Sequence, residues 1–279
     1  MWKKLKMIPL AVLVFVCVYP FCFLAAGSLM GKGEIQECLL AVMGDAGGYA
    51  HFPWLPRYPT CQSYVEILLD SPEFFVMFWN SVKLTAGVLA GQFLFGILAA
   101  WGFAKGTFPF RKILFTFYIL LMMMPFQVFM LSDYLLLDGL HMLDTHRGIV
   151  LLCIFSPFPV FIMYRFFHQV PQALVEAARL DGASQWQVFW HIGLPGGSSG
   201  ILSALVLSFL EYWSLLEQPM TFLKSKKLWP LSLYLPNIGL EDAQAAFAAS
   251  VIALIPAVLV FLAGQDYLEK GIMAAAVKE

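Results

Sequence analysis

The chain has 279 residues and a formal net charge of −1, with 60% hydrophobic but only 13% charged residues. Soluble globular domains run at ~45–50% apolar and about 25% charged, and a core grows too slowly with length to hide the excess. A disordered chain, a collagen-like chain and most soluble enzymes are thereby excluded, and without a basic field the chain is no nucleic-acid binder.

A helix needs about twenty apolar residues to cross a hydrocarbon core of ~30 Å. Met7–Leu29, Leu84–Ala104, Ile113–Leu131, Gly148–Tyr164, Gly200–Leu216 and Ala243–Gln265 reach or approach that length. They are continuously apolar rather than alternating, which argues against barrel strands. The prediction is an all-α, polytopic membrane protein with six transmembrane helices. The first run follows Lys3, Lys4 and Lys6 and is longer than the ~7–15-residue core of a signal peptide. Residues 1–29 therefore read as a retained span rather than a cleaved leader. Residues 30–73 read as an extracytoplasmic loop, irregular because Gly31, Gly33, Gly44, Gly47 and Gly48 precede Pro53, Pro56 and Pro59. Residues 74–279 carry the other five spans. The clusters Lys3–Lys6 and Arg111-Lys112 beside span ends place both termini in the cytoplasm. Lys224, Lys226 and Lys227 then fall outside, against the trend.

Glu211 is the ionisable residue inside a predicted span. A carboxylate at the centre of a helix in lipid costs at least ~2.5–3.5 kcal/mol, so Glu211 faces a watery cavity or a partner's polar group, or else lies near the outer headgroups. With Trp213 it is a candidate for the substrate path. Gly87 and Gly91, and the stripe Ala245, Ala249, Ala253 and Ala257, allow close helix approach. They read as packing within the bundle, or as a seam with a second membrane subunit.

Motifs for catalysis are absent from the sequence. There is no G-x-x-x-x-G-K-[ST], H-E-x-x-H, G-x-S-x-G or C-x-x-C. The five His are scattered, and no metal site is expected. Cys38 and Cys61 share the first outer loop, where either a disulfide or two free thiols is chemically permitted.

The stretch between the fourth and fifth spans carries the most information. Gln172–Leu180 is a run of strong helix formers, with Pro171 suited to the first helical position. Asp181-Gly182 ends it, because Gly readily turns left-handed. Ser184 with Gln187 forms a capping box for a second helix, which Trp186, Phe189, Trp190 and Ile192 make apolar on one side and Pro195 closes. Residues 170–195 thus predict two short helices joined by a tight turn. Such a surface seats against another protein or lies on lipid.

Glu176-Ala177-Ala178, Asp181-Gly182-Ala183 and Ile192-x-Leu194-Pro195 resemble the EAA signature of permease subunits of binding-protein-dependent ABC importers. Asn80-Ser81, Phe108-Pro109-Phe110-Arg111, Pro125, Arg165-Phe166-Phe167, Pro171, Tyr267-x-x-Lys270-Gly271 and Ala276-Val277-Lys278 are similar to the carbohydrate branch, the MalG-like permeases. The resemblance runs from about Asn80 to the C-terminus. It departs at Ser214, where the family often has Asn after the Trp.

What the resemblance implies is an ABC importer type I permease fold with the 170–195 pair as coupling helices. Glu176, Ala177, Ala178, Asp181, Gly182, Ala183, Leu194 and Pro195 would be the ATPase-coupling residues. It implies a transport subunit rather than an enzyme, with no cofactor of its own, ATP and Mg being held by a separate ABC ATPase dimer. The implied partners are a second permease subunit, an extracytoplasmic solute-binding protein and the lipid bilayer of a prokaryotic inner membrane. The implied cargo is a sugar, oligosaccharide or polyol. A non-sugar solute, or a stand-alone membrane enzyme or channel, are the alternative readings.

Overall fold

The computed structural model describes residues 2–43, 53, 55–237 and 242–276. Gly44, Gly47 and Gly48 of the first loop, and Val277 and Lys278 of the tail, lie outside the described residues.

Among the described residues every regular element is helical. The first is α1 (Trp2–Ser28). It is followed by α2 (Lys32–Met43) and α3 (Gln62–Val65), the latter continued by a π turn at Glu66–Asp70. Next, α4 (Pro72–Gly91) passes through a π turn at Gln92–Gly96 into α5 (Ile97–Lys105). Then come α6 (Arg111–Met122), α7 (Phe126–Gly139), α8 (His146–Ile154) and α9 (Pro157–Gln169). Two short helices follow, α10 (Gln172–Leu180) and α11 (Gln185–Val188), and a third π turn, Phe189–Gly193, leads into α12 (Leu194–Trp213). The last are α13 (Glu217–Phe222), α14 (Leu231–Tyr234) and α15 (Ala243–Ala276).

Among the described residues five helices are long and apolar enough to cross a membrane: Pro9–Ser28, Pro72–Lys105, His146–Gln169, Gln185–Trp213 and Ala243–Glu269. The sixth span, expected as a straight helix over Ile113–Leu131, is instead the pair α6 and α7, bent by 103°. Pro125 explains the break. It stands as the N-cap of α7 with extended backbone (ψ 152°), because proline has no N–H to donate and its ring drives the preceding residue out of the helical region. The fourth span is interrupted in the same way at Phe155-Ser156, just before Pro157.

The chain divides into two compact units, Met1–Phe78 with Leu233–Ile255 and Trp79–Ser232 with Pro256–Glu279. In the first unit, part of the loop expected to be irregular is helical. Ile35 on α2 is buried with Met30 and Ala243, and that apolar contact stabilises a helix the turn-rich composition did not suggest. Tyr64 donates to Ser28 Oγ at 2.7 Å, and Thr60 N donates to Leu29 O at 2.8 Å, folding the loop back on the end of α1. Gly27 lies so close to Phe247 that a Cβ would meet the ring at 2.8 Å. Cys38 and Cys61 are free thiols.

In the second unit α5, α9 and α12 share a core that includes Ile97, Ala100, Ile162, Phe167 and Ile201. Absence of side chains permits the contact. A Cβ at Gly197 would stand 2.2 Å from Phe167, and one at Gly200 would stand 2.4 Å from Phe166. The stripe Gly87 and Gly91 faces Val150 and Ile154 of α8, at 3.2 and 2.2 Å from an added Cβ. That stripe is a packing seam inside the bundle, as small residues in lipid-embedded helices commonly are.

Candidate functional site

The helix pair at 170–195 forms as its local sequence dictates. Gly182 takes φ +85°. Gly182 N donates to Arg179 O at 3.1 Å and Ala183 N to Ala178 O at 2.9 Å, the two bonds of a Schellman turn. Ser184 and Gln187 form the reciprocal capping box. Only Val175 of α10 is buried, so Glu176 and Ala177 are exposed, and Leu180 is 89% exposed. Ala178, Asp181, Gly182 and Ala183 line a shallow cleft of about 340 Å³, closed by Gln187 and His191 of the following turn.

Three details depart from the sequence expectation. Pro171 is the N-cap of α10 rather than its first residue, and Glu176 sits at the middle of that helix, where its carboxylate accepts from Gln172 Nε2 at 3.3 Å. Pro195 does not close the second helix. The chain runs through the π turn Phe189–Gly193 straight into the fifth span, with Pro195 the second residue of α12. Leu194 and Pro195, like Glu176 and Ala177, are not among the residues that line the cleft at Ala178, Asp181, Gly182 and Ala183. The aromatic side is also divided. Phe189 is buried against Trp101, ring centroids 5.9 Å apart, and Trp101 packs edge-on to Phe167 at 5.4 Å. Trp186 and Trp190 are exposed and, with Phe189, line an apolar pocket of about 300 Å³ shared with Phe93, Leu94, Ile97 and Leu98.

A second surface is built by the segment 223–231. Asp144, itself at φ +56°, accepts from Lys224 N at 2.8 Å and Ser225 N at 2.9 Å through Oδ1, and from Ser225 Oγ through Oδ2. These bonds, the Ser225 hydroxyl first, hold the Asp144 carboxyl below the ordinary carboxylate range. Asn80 Nδ2 donates to Lys227 O at 2.8 Å and Trp229 O at 3.1 Å, and Ser81 Oγ accepts from Leu231 N at 2.8 Å. His146 Nε2 lies 2.8 Å from Leu228 O. The loop is thus pinned by polar side chains on both flanks, and it presents exposed Lys224, Lys226 and Lys227. Asn80-Ser81, which the sequence marks only by resemblance, owes its place to this pinning.

The third feature is a cavity of about 280 Å³ whose polar lining is Asp133, Ser156, Glu211, Tyr212 and Gln218. Met124, Ser156 and Pro157, from the two helix breaks, also line it. Irregular backbone at membrane depth is tolerated where it borders a cavity. Glu211 is among the residues that line this cavity. Trp213 does not line it and stacks on Phe209, centroids 5.7 Å apart and planes within 10°. Tyr212 stands there instead, its hydroxyl 3.5 Å from Cys153 O. Behind it the fully buried Gln92 donates to the same carbonyl at 3.0 Å, while Gln92 Oε1 has no hydrogen-bond partner among the described residues. Asp133 and Gln92 escape a reading by hydropathy. Asp133 follows the apolar run that Pro125 breaks, and one amide hardly lowers the average of a span. A polar residue a little over two helical turns beyond a span's proline, as Asp133 is beyond Pro125, would have been the signal, and no such mark accompanies Gln92. Among the described residues no group of His, Cys, Asp and Glu is placed to hold a metal ion.

Comparison with known proteins agrees with this architecture. The sequence profile of the binding-protein-dependent transport system inner membrane component family matches residues 92–274. The arabinooligosaccharides transport system permease protein AraQ of Bacillus subtilis is 26% identical over 94% of this chain and 90% of its own length. The lactose transport system permease protein LacG of Rhizobium radiobacter is 28% identical over 95% and 93%. The fold is similar to a chain of a bacterial ABC transporter involved in the import of the acidic polysaccharide alginate. There the TM-score is 0.81 at 20% identity, over 95% of this chain and 96% of that one. A profile match across most of the chain, on a bundle of apolar helices that carries the signature turn at Gly182, leads to one conclusion: the chain belongs to the binding-protein-dependent transport system inner membrane component family.

Proposed function

We propose that this permease subunit serves an importer of a sugar, oligosaccharide or polyol, and that the cavity at Asp133, Glu211 and Tyr212 is this chain's share of the path. The observation that carries the reading is the coincidence of two broken spans with that one polar-lined cavity. Discontinuous membrane helices converge on substrate sites because their free backbone ends and flanking polar side chains offer hydrogen bonds that lipid cannot. Sugars use such groups together with aromatic faces, and Tyr212, Phe126 and Phe158 supply the rings. The names of the relatives, transporters of arabinooligosaccharides and lactose, support the same cargo class.

The rest of the machine follows from the family. A second permease completes the pore, and two ATPase subunits seat on the exposed face of α10 with the cleft at Ala178, Asp181, Gly182 and Ala183. Glu176, Ala177, Leu194 and Pro195 flank that contact. ATP and Mg bind in those ATPases. A solute-binding protein docks on the pinned loop with Lys224, Lys226 and Lys227. Both termini then face the cytoplasm of a prokaryotic cell. ATP-driven closure of the ATPases would shift the 170–195 pair and bias a two-state bundle. The test is uptake by proteoliposomes holding the complete transporter, with arabinotriose and lactose as probes and ATP supplied on the ATPase side. ATP-dependent accumulation of either supports the reading. Hydrolysis that the loaded binding protein stimulates, without accumulation of any neutral saccharide, overturns it.

A further inference from the structure

The ionisable carboxyl groups of the cavity's lining have no basic counterpart there. Asp133 and Glu211 both line it, and among the described residues no Lys, Arg or His does. Neither carboxyl group has a hydrogen-bond or ion-pair partner among the described residues. An unpaired carboxyl group within a membrane bundle is expensive and is retained where it meets cargo or ions. Here two such groups share one cavity with the Tyr212 hydroxyl, the Ser156 hydroxyl and the Gln218 amide.

We infer that Asp133 and Glu211 make this chain's half of the path a charge filter: it takes neutral or cationic saccharides and turns away uronates and sugar phosphates. The inference rests on the reading that the cavity lines the path. The chemistry is asymmetric. Saccharide hydroxyls and ammonium groups donate to carboxylates, and both gain from two unpaired acceptors that line one cavity. A uronate or phosphate brings its own negative charge. In this lining it meets two carboxyl groups and finds no cation to offset its loss of hydration, and protonation of either carboxyl supplies none. The fold alone does not set this preference, since the alginate importer, whose fold is similar, moves an acidic polysaccharide. In this chain the side chains at positions 133 and 211 set the preference, and Asp133 is as much a specificity residue as Glu211.

The experiment reads charge selection without knowledge of the cargo. The complete transporter is assembled in lipid nanodiscs with Cys17, Cys22, Cys38, Cys61 and Cys153 replaced by Ala or Ser, and a single reporter thiol is introduced by Ser156→Cys. Gln218→Cys serves as a second site should the first variant assemble poorly. Reaction rates with a trimethylammonium-ethyl and a sulfonato-ethyl methanethiosulfonate are measured with and without ATP and vanadate, and normalised to a free thiol. The expected cation-to-anion ratio is at least about tenfold, the low end of what a charged cleft gives a counter-ion. It should fall to about one when Asp133→Asn and Glu211→Gln are combined. A ratio near one with both carboxyls present, or a high ratio that survives their neutralisation, overturns the filter while leaving the path reading intact. Thiols that neither reagent reaches in any nucleotide state overturn the path reading itself, and the filter with it.

Discussion

Lys105 Nζ donates to the carbonyl oxygen of Val170 at 2.6 Å and reaches that of His168 at 3.4 Å. The last residue of α5 thereby holds the carbonyls that α9 leaves unpaired where it ends and the 170–195 segment begins. A cation suits a helix C-terminus, and Lys105 is only 8% exposed, so its bonds are poorly replaced by water. We expect Lys105→Met, which keeps the apolar stem, to cost about 1.5–3 kcal/mol, the range for hydrogen bonds to charged groups. The measurements are the thermal midpoint of the purified complex and the number of saccharides moved per ATP hydrolysed. Both should fall, because the strut between the second span and the helix pair is lost.

Gly182 is the hinge residue of that pair. At φ +85° an L-residue is strained by roughly 1–2 kcal/mol, yet among the described residues nothing lies within 4 Å of an added Cβ. The cost of substitution within this chain is therefore conformational rather than steric. Asn, which tolerates the left-handed region, should retain uptake, Ala should lose part of it, and Val should lose the most. Membrane insertion should be normal in all three. Co-purification of the ATPase with each variant reads the order. Equal retention of ATPase by Gly182→Val and Gly182→Asn would mean that the turn does not set the contact.

Gly197 offers a contrasting case, in which the penalty is steric. A Cβ there would stand 2.2 Å from the fully buried Phe167 ring. Gly197→Ala should destabilise the bundle by about 1–3 kcal/mol through overpacking. Phe167→Leu should restore part of that loss. A double-mutant cycle on the thermal midpoint tests the pair.

The Asp144 clamp on the loop of Lys224 and Ser225 predicts a pH response of known sign. The carboxyl is more acidic folded than unfolded, chiefly through the Ser225 hydroxyl. Its contribution is complete above the ordinary carboxylate range and is lost as pH falls through the lowered value. Amide-exchange protection at Lys224 and Ser225 should be level from neutral pH down to about pH 4 and collapse only in stronger acid. Asp144→Asn keeps the left-handed backbone but removes the charge and one strong acceptor, and should weaken protection at every pH. Loss of protection already near pH 6 would contradict the assignment.

Legibility in the sequence followed the range of the forces involved. Hydropathy averages over many residues, so the long spans were visible and the breaks inside them were not. The bend after Met122 hangs on one proline. Local hydrogen bonding is written in adjacent residues, so the Gly182 turn and the Ser184–Gln187 box were readable in advance. Tertiary contacts are not written locally. Pro195 signals a helix end by propensity, but the preceding π turn lets the helix continue. Trp186 and Phe189 look alike on a helical wheel, although one is exposed and the other buried on Trp101. Asp133 and Glu211 lie far apart in sequence, and only folding brings them to one cavity.

The central claim is that the exposed face of α10 seats on an ATPase subunit. Leu180 is the most direct reporter, because an apolar side chain 89% exposed at the end of that helix invites cover by a partner. A photoreactive benzoylphenylalanine placed at Leu180 in the complete, membrane-embedded transporter should crosslink to the ATPase subunit. The same probe at Leu13, an exposed residue of the first span, should give lipid adducts only. Lipid adducts alone at Leu180, from a transporter that still drives ATP-dependent uptake, would contradict the account.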